Sequence, residues 1–149
     1  MKVAIDTNVL AYAEGVNDAE KREIVLELLA NVPQEGTVIP VQVLGELFNV
    51  LVRKAGRSHA EARDALLNWR DAFPVAGTAP EAMMMAVDLA ADHRFGIWDA
   101  VILSTASQSG CRLLLSEDLQ HGFTWGGVTI VNPFVSPRHE LLGDLLGTK

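Results

Sequence analysis

The 149-residue sequence predicts an α/β protein in one domain, with a mainly parallel sheet between helices. Three observations carry this reading. Short apolar runs alternate with stretches in which apolar residues recur at helical spacing. The first run opens into a helix through an acidic, hydroxyl-bearing junction, Asp6-Thr7-Asn8, as the first βα unit of a parallel sheet does. Glycine and proline stand where the period changes, at Gly36, Pro40, Gly56 and Gly110.

Taken in order, Met1-Lys2-Val3-Ala4-Ile5 is a strand and Val9-Leu10-Ala11-Tyr12-Ala13 has helical composition. Segment 20–29 places Ile24, Val25, Leu28 and Leu29 on one helical face. Thr37-Val38-Ile39 reads as a second strand. Over 42–55, Val43, Leu44, Leu47, Val50 and Leu51 recur at helical spacing, Glu46 and Asn49 fall elsewhere on the wheel, and Gly56 stops the helix. Ser58-His59-Ala60-Glu61 and Thr78-Ala79-Pro80-Glu81 both have the capping-box pattern ahead of helices. The second leads into 82–91, whose Met and Ala residues read as adaptable core packing. Met83, Met84 and Met85 are consecutive, so one helix face cannot bury all three, and at least one points to another surface. A helix over 97–110 precedes strands at Arg112-Leu113-Leu114-Leu115 and Val128-Thr129-Ile130-Val131; the C-terminal residues are a short helix or a frayed tail.

Composition excludes several classes. Hydrophobic residues make up 49% and charged residues 21%, which is globular and not disordered. The longest apolar run, 82–87, falls far short of the ~20 residues that span a bilayer. No basic segment followed by an apolar stretch opens the chain, so neither a signal peptide nor a membrane association is expected. Cys111 is the single cysteine, which rules out an internal disulfide and a cysteine-rich zinc site and suits a reducing cytoplasm. The net charge of −7 argues against holding nucleic acid by charge alone, although carboxylates that bind divalent cations are acidic in sequence and much less so in use.

In open parallel sheets, sites form beyond the carboxyl ends of the strands. Asp6 follows the first strand directly and Asp118 follows the Leu113-Leu114-Leu115 strand by a short turn. Asp99 opens a helix, and Glu46 lies in the first turns of the helix after Val38-Ile39. Each has an ordinary reading too: Asp99 as a favourable helix N-terminal charge, Asp118 as a turn residue, Glu46 as a solvated position. The sheet logic nevertheless brings all four to one edge. Such a cluster is held ionised by a divalent cation, and all-oxygen ligands favour Mg²⁺ or Mn²⁺ over zinc. Thr7, Asn8 and Ser116 add neutral groups able to orient the acids. His59, His93, His121 and His139 show no zinc-ligand spacing and read as surface or structural residues. Phosphate-loop, dinucleotide and nucleophile-elbow signatures are missing.

These residues resemble the PIN-domain family, and within it the VapC-type toxin ribonucleases of type II toxin–antitoxin systems. The matching pieces are Asp6-Thr7-Asn8-Val9-Leu10, Glu46-Leu47-Phe48-Asn49-Val50-Leu51, Ile97-Trp98-Asp99-Ala100, Leu114-Leu115-Ser116-Glu117-Asp118-Leu119 and the closing Asn132-Pro133-Phe134. They span nearly the whole chain in the expected order, 1–149 as a single PIN domain. The resemblance implies a three-layer α/β/α sandwich whose Asp6, Glu46, Asp99 and Asp118 bind Mg²⁺ or Mn²⁺ and hydrolyse RNA phosphodiester bonds. Thr7, Asn8 and Ser116 would support the quartet. It also implies a cognate antitoxin and a homodimer. Arg53, Lys54, Arg57, Arg63 and Arg70 form the one dense basic segment; Arg53, Lys54 and Arg57 could meet RNA phosphates, or the segment is a solvated helix pair. Two other readings stand beside the toxin: a PIN nuclease in RNA processing, and a catalytically inactive PIN scaffold that binds RNA or protein. A receiver-like signalling domain would need adjacent acids at the first strand end and a lysine at a late one, and the sequence has neither.

Overall fold

A computed structural model describes residues 1–147. The chain opens with β1 (Val3–Ile5), α1 (Thr7–Ala13) and α2 (Ala19–Asn31), then β2 (Thr37–Pro40), α3 (Val41–Arg53), α4 (His59–Ala72) and β3 (Val75–Ala76). It continues through α5 (Pro80–His93), α6 (Ile97–Gln108), β4 (Leu113–Leu115), β5 (Thr124–Trp125), β6 (Val128–Val131) and α7 (Glu140–Leu146).

The six strands run in the order β3-β2-β1-β4-β6-β5, and every pair is parallel except β5–β6. The three residues of β1 and the three of β4 are all fully buried, as expected of strands covered by helices on both faces. That explains why the sequence shows apolar runs here and not alternation. From β1 the chain moves outward through β2 and β3, then returns to the other side of β1 as β4. The order therefore reverses at β1, and the carboxyl ends of β1 and β4 flank the crevice so formed. The register pairs Ile5 with Leu115, so the next residues, Asp6 and Ser116, leave the sheet side by side.

Most helices follow the sequence reading. Val43, Leu47 and Leu51 bury one stripe of α3, and Gly56 ends the segment at φ +66°. Ser58 and Glu61 form the reciprocal cap of α4, with both bonds at 3.0 Å. Three expectations need correction. In α2 only Val25 and Leu28 are buried; Ile24 is 44% exposed, because the helix packs by a narrow stripe and Ile24 lies one step round the wheel from it. Thr78 does not cap α5: Ala79 occupies that position, Pro80 starts the helix without needing an N–H partner, and the Thr78 hydroxyl bonds Thr105 at 2.8 Å. The two-residue strands β3 and β5 were not anticipated. The turn between β5 and β6, Gly126-Gly127, needs glycine: both have positive φ, and a Cβ on Gly126 would lie 2.5 Å from Ser107 Oγ. At the C-terminus, α7 forms and buries Leu142, while the last two positions of the anticipated tail lie outside the described residues.

Candidate active site

Asp6 caps the N-terminus of α1 in extended conformation (φ −80°, ψ 163°). Its Oδ1 accepts from the Thr7 N–H at 2.7 Å, and its Oδ2 accepts from Ser116 Oγ at 2.7 Å and Asn8 Nδ2 at 3.3 Å. Only 4% of the residue is exposed. Burial pushes its carboxyl up to about 6, against the lowering by the Ser116 and Thr7 hydrogen bonds, and the charges of Asp99 and Glu46 add to the rise.

The other acids arrive from separate elements. Glu46 sits in the second turn of α3, where Oε1 accepts from Thr7 Oγ1 at 3.0 Å and Oε2 from Gln42 Nε2 at 3.2 Å. Asp99 lies in the first turn of α6. Its carboxyl is also raised, first by burial and then by Glu46 and Asp118. Asp118 stands exposed on the loop after β4 and accepts from Asn8 Nδ2 at 3.3 Å. Asn8 is the junction of the group. Its Nδ2 reaches Asp6, Ser116 and Asp118, each at 3.3 Å, while its Oδ1 accepts the Glu117 N–H at 3.0 Å. The fold thus brings all four acids and the three neutral helpers to the crevice at the β1 and β4 ends.

The donors are oxygens, which suits a hard divalent cation. Asp6 has no cation among its hydrogen-bond partners, although it is buried among other acids. A bound ion would supply the missing counter-charge. Among the described residues no three His, Cys, Asp or Glu side chains form a ready-made cage.

The basic segment is divided by the fold. Arg57 does not stand free for RNA: Nη1 pairs with Glu14 Oε1 at 2.6 Å and Nη2 donates to the Glu14 carbonyl at 2.8 Å, with Trp69 Nε1 on Glu14 Oε2 at 2.9 Å. It ties the end of α1 to the start of α4, so these two donors serve the fold and not an RNA phosphate. Arg53 is exposed, and Lys54 lines the groove that extends from the acids. His121 and His139 accept backbone N–H groups through Nδ1, a structural use as expected.

Sequence reasoning missed a second cluster beside the acids. Lys21 pairs with Glu117, Tyr12 OH donates to Glu117 Oε1 at 2.5 Å, and the Lys21 ammonium lies 5.1 Å from the centroids of both Tyr12 and Phe134. This holds the loop bearing Asp118 against α1 and α2. No local motif marks it, because its members lie far apart in the chain. Asn49, which falls with Glu46 off the apolar face of α3, lines the same groove as Glu46.

An acidic pocket at the strand-order reversal of a parallel sheet defines the class of α/β proteins that bind ligands at such a crevice. The family is narrower: residues 3–122 match the PIN domain model, and the chain belongs to that family. Solved structures share the fold. The Mycobacterium tuberculosis toxin VapC20, described as cleaving the sarcin-ricin loop, is 20% identical at TM-score 0.67, covering 78% of this chain and 90% of that one. A toxin–antitoxin complex from Klebsiella pneumoniae is 20% identical at TM-score 0.64, covering 89% and 98%. DNA-bound VapBC from Salmonella typhimurium is 16% identical at TM-score 0.63, covering 87% and 96%. No curated protein matches the chain. Among the described residues no helix is long and apolar enough to cross a membrane.

Proposed function

We propose that the chain acts as a single PIN domain and is a divalent-cation-dependent endoribonuclease, the toxin of a toxin–antitoxin pair. The observation that carries this reading is the buried Asp6, held by neutral donors and pressed by Asp99 and Glu46 at the switch point of the sheet. Asp6, Glu46, Asp99 and Asp118 would hold Mg²⁺ or Mn²⁺. When bound, the ion activates water for attack on phosphorus and stabilises the leaving oxygen. The chain's own part is positional. Ser116 and the Thr7 N–H keep the Asp6 carboxylate in one rotamer, Thr7 Oγ1 fixes Glu46, and Asn8 fixes Asp118 relative to Asp6. One of the four carboxylates would accept a proton from the attacking water.

The toxin assignment is supported by the toxins and toxin–antitoxin complexes among the similar folds. An antitoxin and a second copy of the chain are the proposed protein partners. Met84 and Val87, exposed at 62% and 44% on α5, are the apolar residues offered to such a copy. Light scattering at micromolar concentration that gave only a 16.1 kDa species would contradict the dimer. The test of function is direct. Purified protein incubated with structured RNAs should cut them in Mg²⁺ or Mn²⁺ and leave them whole in chelator, and Asp99→Asn should not cut. Intact RNA with wild type and either metal would refute the reading.

A further inference from the structure

A groove of about 410 Å³ leads from the acids towards the end of α3 and the turn between α1 and α2. Glu46 and Asp118 line one part of it, and Asn17, Asn49 and Lys54 line another. The groove thus joins an acidic, cation-binding region to a region of amide and ammonium donors. Its volume falls in the range of sites that enclose small organic ligands.

These three polar residues are exposed along the groove. Among the described residues, the side chains of Asn17, Asn49 and Lys54 have no hydrogen-bond or ion-pair partner. Of the nearby cations, Lys21 is taken by Glu117 and Arg57 by Glu14. Asn17 adopts φ +67°, a left-handed turn conformation that asparagine tolerates. Glu46 and Asn49 lie on α3, and Lys54 caps its C-terminal end. Eight residues at 1.5 Å rise separate Glu46 from Lys54 by about 12 Å along the axis, too far for one phosphate to meet both.

We propose that this groove is a nucleotide subsite. An unpaired nucleotide next to the cleaved bond lies between α3 and the α1–α2 turn, with Asn17 and Asn49 on its base edge and Lys54 on a neighbouring phosphate. This rests on the ribonuclease reading above and adds residues that set its specificity. Primary amides present a donor and an acceptor together, which is the pattern that reads a base edge. Sequence-specific recognition of RNA favours unpaired bases that can leave the stack and enter a concavity. The −7 charge of the chain makes a lone lysine there the more consequential, because the acids beside it repel phosphate wherever no cation intervenes.

The test uses the full chain in Mg²⁺ and a pool of single-stranded RNAs randomised around the cut, with cleaved ends sequenced. Wild type should prefer one base at one position beside the cut. Asn17→Ala and Asn49→Ala should relax that preference about tenfold each. Lys54→Ala should keep the preference, raise KM and reduce the salt dependence of KM by about one phosphate contact, and Lys54→Arg should restore both. Unchanged base preference in both asparagine variants, or an unchanged KM in Lys54→Ala, overturns the subsite and leaves the ribonuclease reading intact. A groove that serves a protein partner would give that result, with the same variants weakening the partner's binding. Wild type that cuts nothing from the pool overturns both readings.

Discussion

The backbone N–H of Glu117 donates to Oδ1 of Asn8 at 3.0 Å, and this bond decides which way the Asn8 amide faces. With the oxygen so occupied, Nδ2 is directed at Asp6, Ser116 and Asp118 together. The acids at the ends of β1 and β4 are therefore held in relation by one neutral donor.

Replacing Asn8 separates its two roles. Asn8→Ala should lower the RNA cleavage rate by tenfold or more while changing cation-free stability by only ~1 kcal/mol, the net value of ordinary hydrogen bonds. Asn8→Asp should be worse without a cation, because it brings another carboxylate against Asp6 and Asp118, and Mg²⁺ should recover part of the loss. Urea unfolding in chelator and in Mg²⁺ measures both. Equal stability of the two variants in chelator would contradict this role.

The placement of the quartet was legible because Asp6 directly, and Asp118 after a short turn, follow apolar runs that read as strands, and strand ends in a parallel sheet share an edge. Glu46 was legible from its helix following another strand. The partnership of Arg57 was not, because Glu14 lies 43 positions away and nothing local distinguishes a lysine or arginine facing solvent from one facing a carboxylate. Two-residue strands such as β3 and β5 were invisible for a related reason. They exist through pairing with β2 and β6, and too few residues are involved to show a period.

The pairing of Arg57 with Glu14 predicts a structural phenotype. Arg57→Ala should destabilise the fold by ~1–3 kcal/mol, since Glu14 loses two charged donors and retains only Trp69. RNA cleavage at saturating substrate should stay near the wild-type rate. A double-mutant cycle with Glu14→Ala should show strong coupling. Undiminished stability together with a raised KM for RNA would return Arg57 to the phosphate-contact role.

Stability against pH follows from Asp6. In the fold its carboxyl releases a proton at about 6, against 3.8 unperturbed. Between those values the unfolded chain has lost the proton that the fold still holds, so its contribution is complete below about 4, falls as pH rises, and is gone above about 6. The gap of about two units corresponds to ~3 kcal/mol. In chelator, Asp6→Asn should match wild type near pH 4 and exceed it near pH 7. A difference that does not change with pH would contradict the assignment.

In cells, induced wild type should arrest growth, Asp99→Asn should not, and co-expression of the cognate antitoxin should relieve the arrest. Growth unaffected by wild-type protein that cuts the same host's RNA in vitro would favour a processing nuclease over a toxin.

The central claim is that four distant carboxylates act as one cation site, and thermal melts of wild type and Asp6→Asn, with chelator and with millimolar Mg²⁺, test it most directly. In chelator the variant should melt at or above the wild-type temperature, because it removes one of several like charges. In Mg²⁺ the order should reverse, since only wild type gains RT ln(1 + [L]/Kd), about 2.7 kcal/mol at a hundredfold excess over Kd, or several degrees. If Mg²⁺ instead raises both proteins equally, or neither, these carboxylates do not form the cation site.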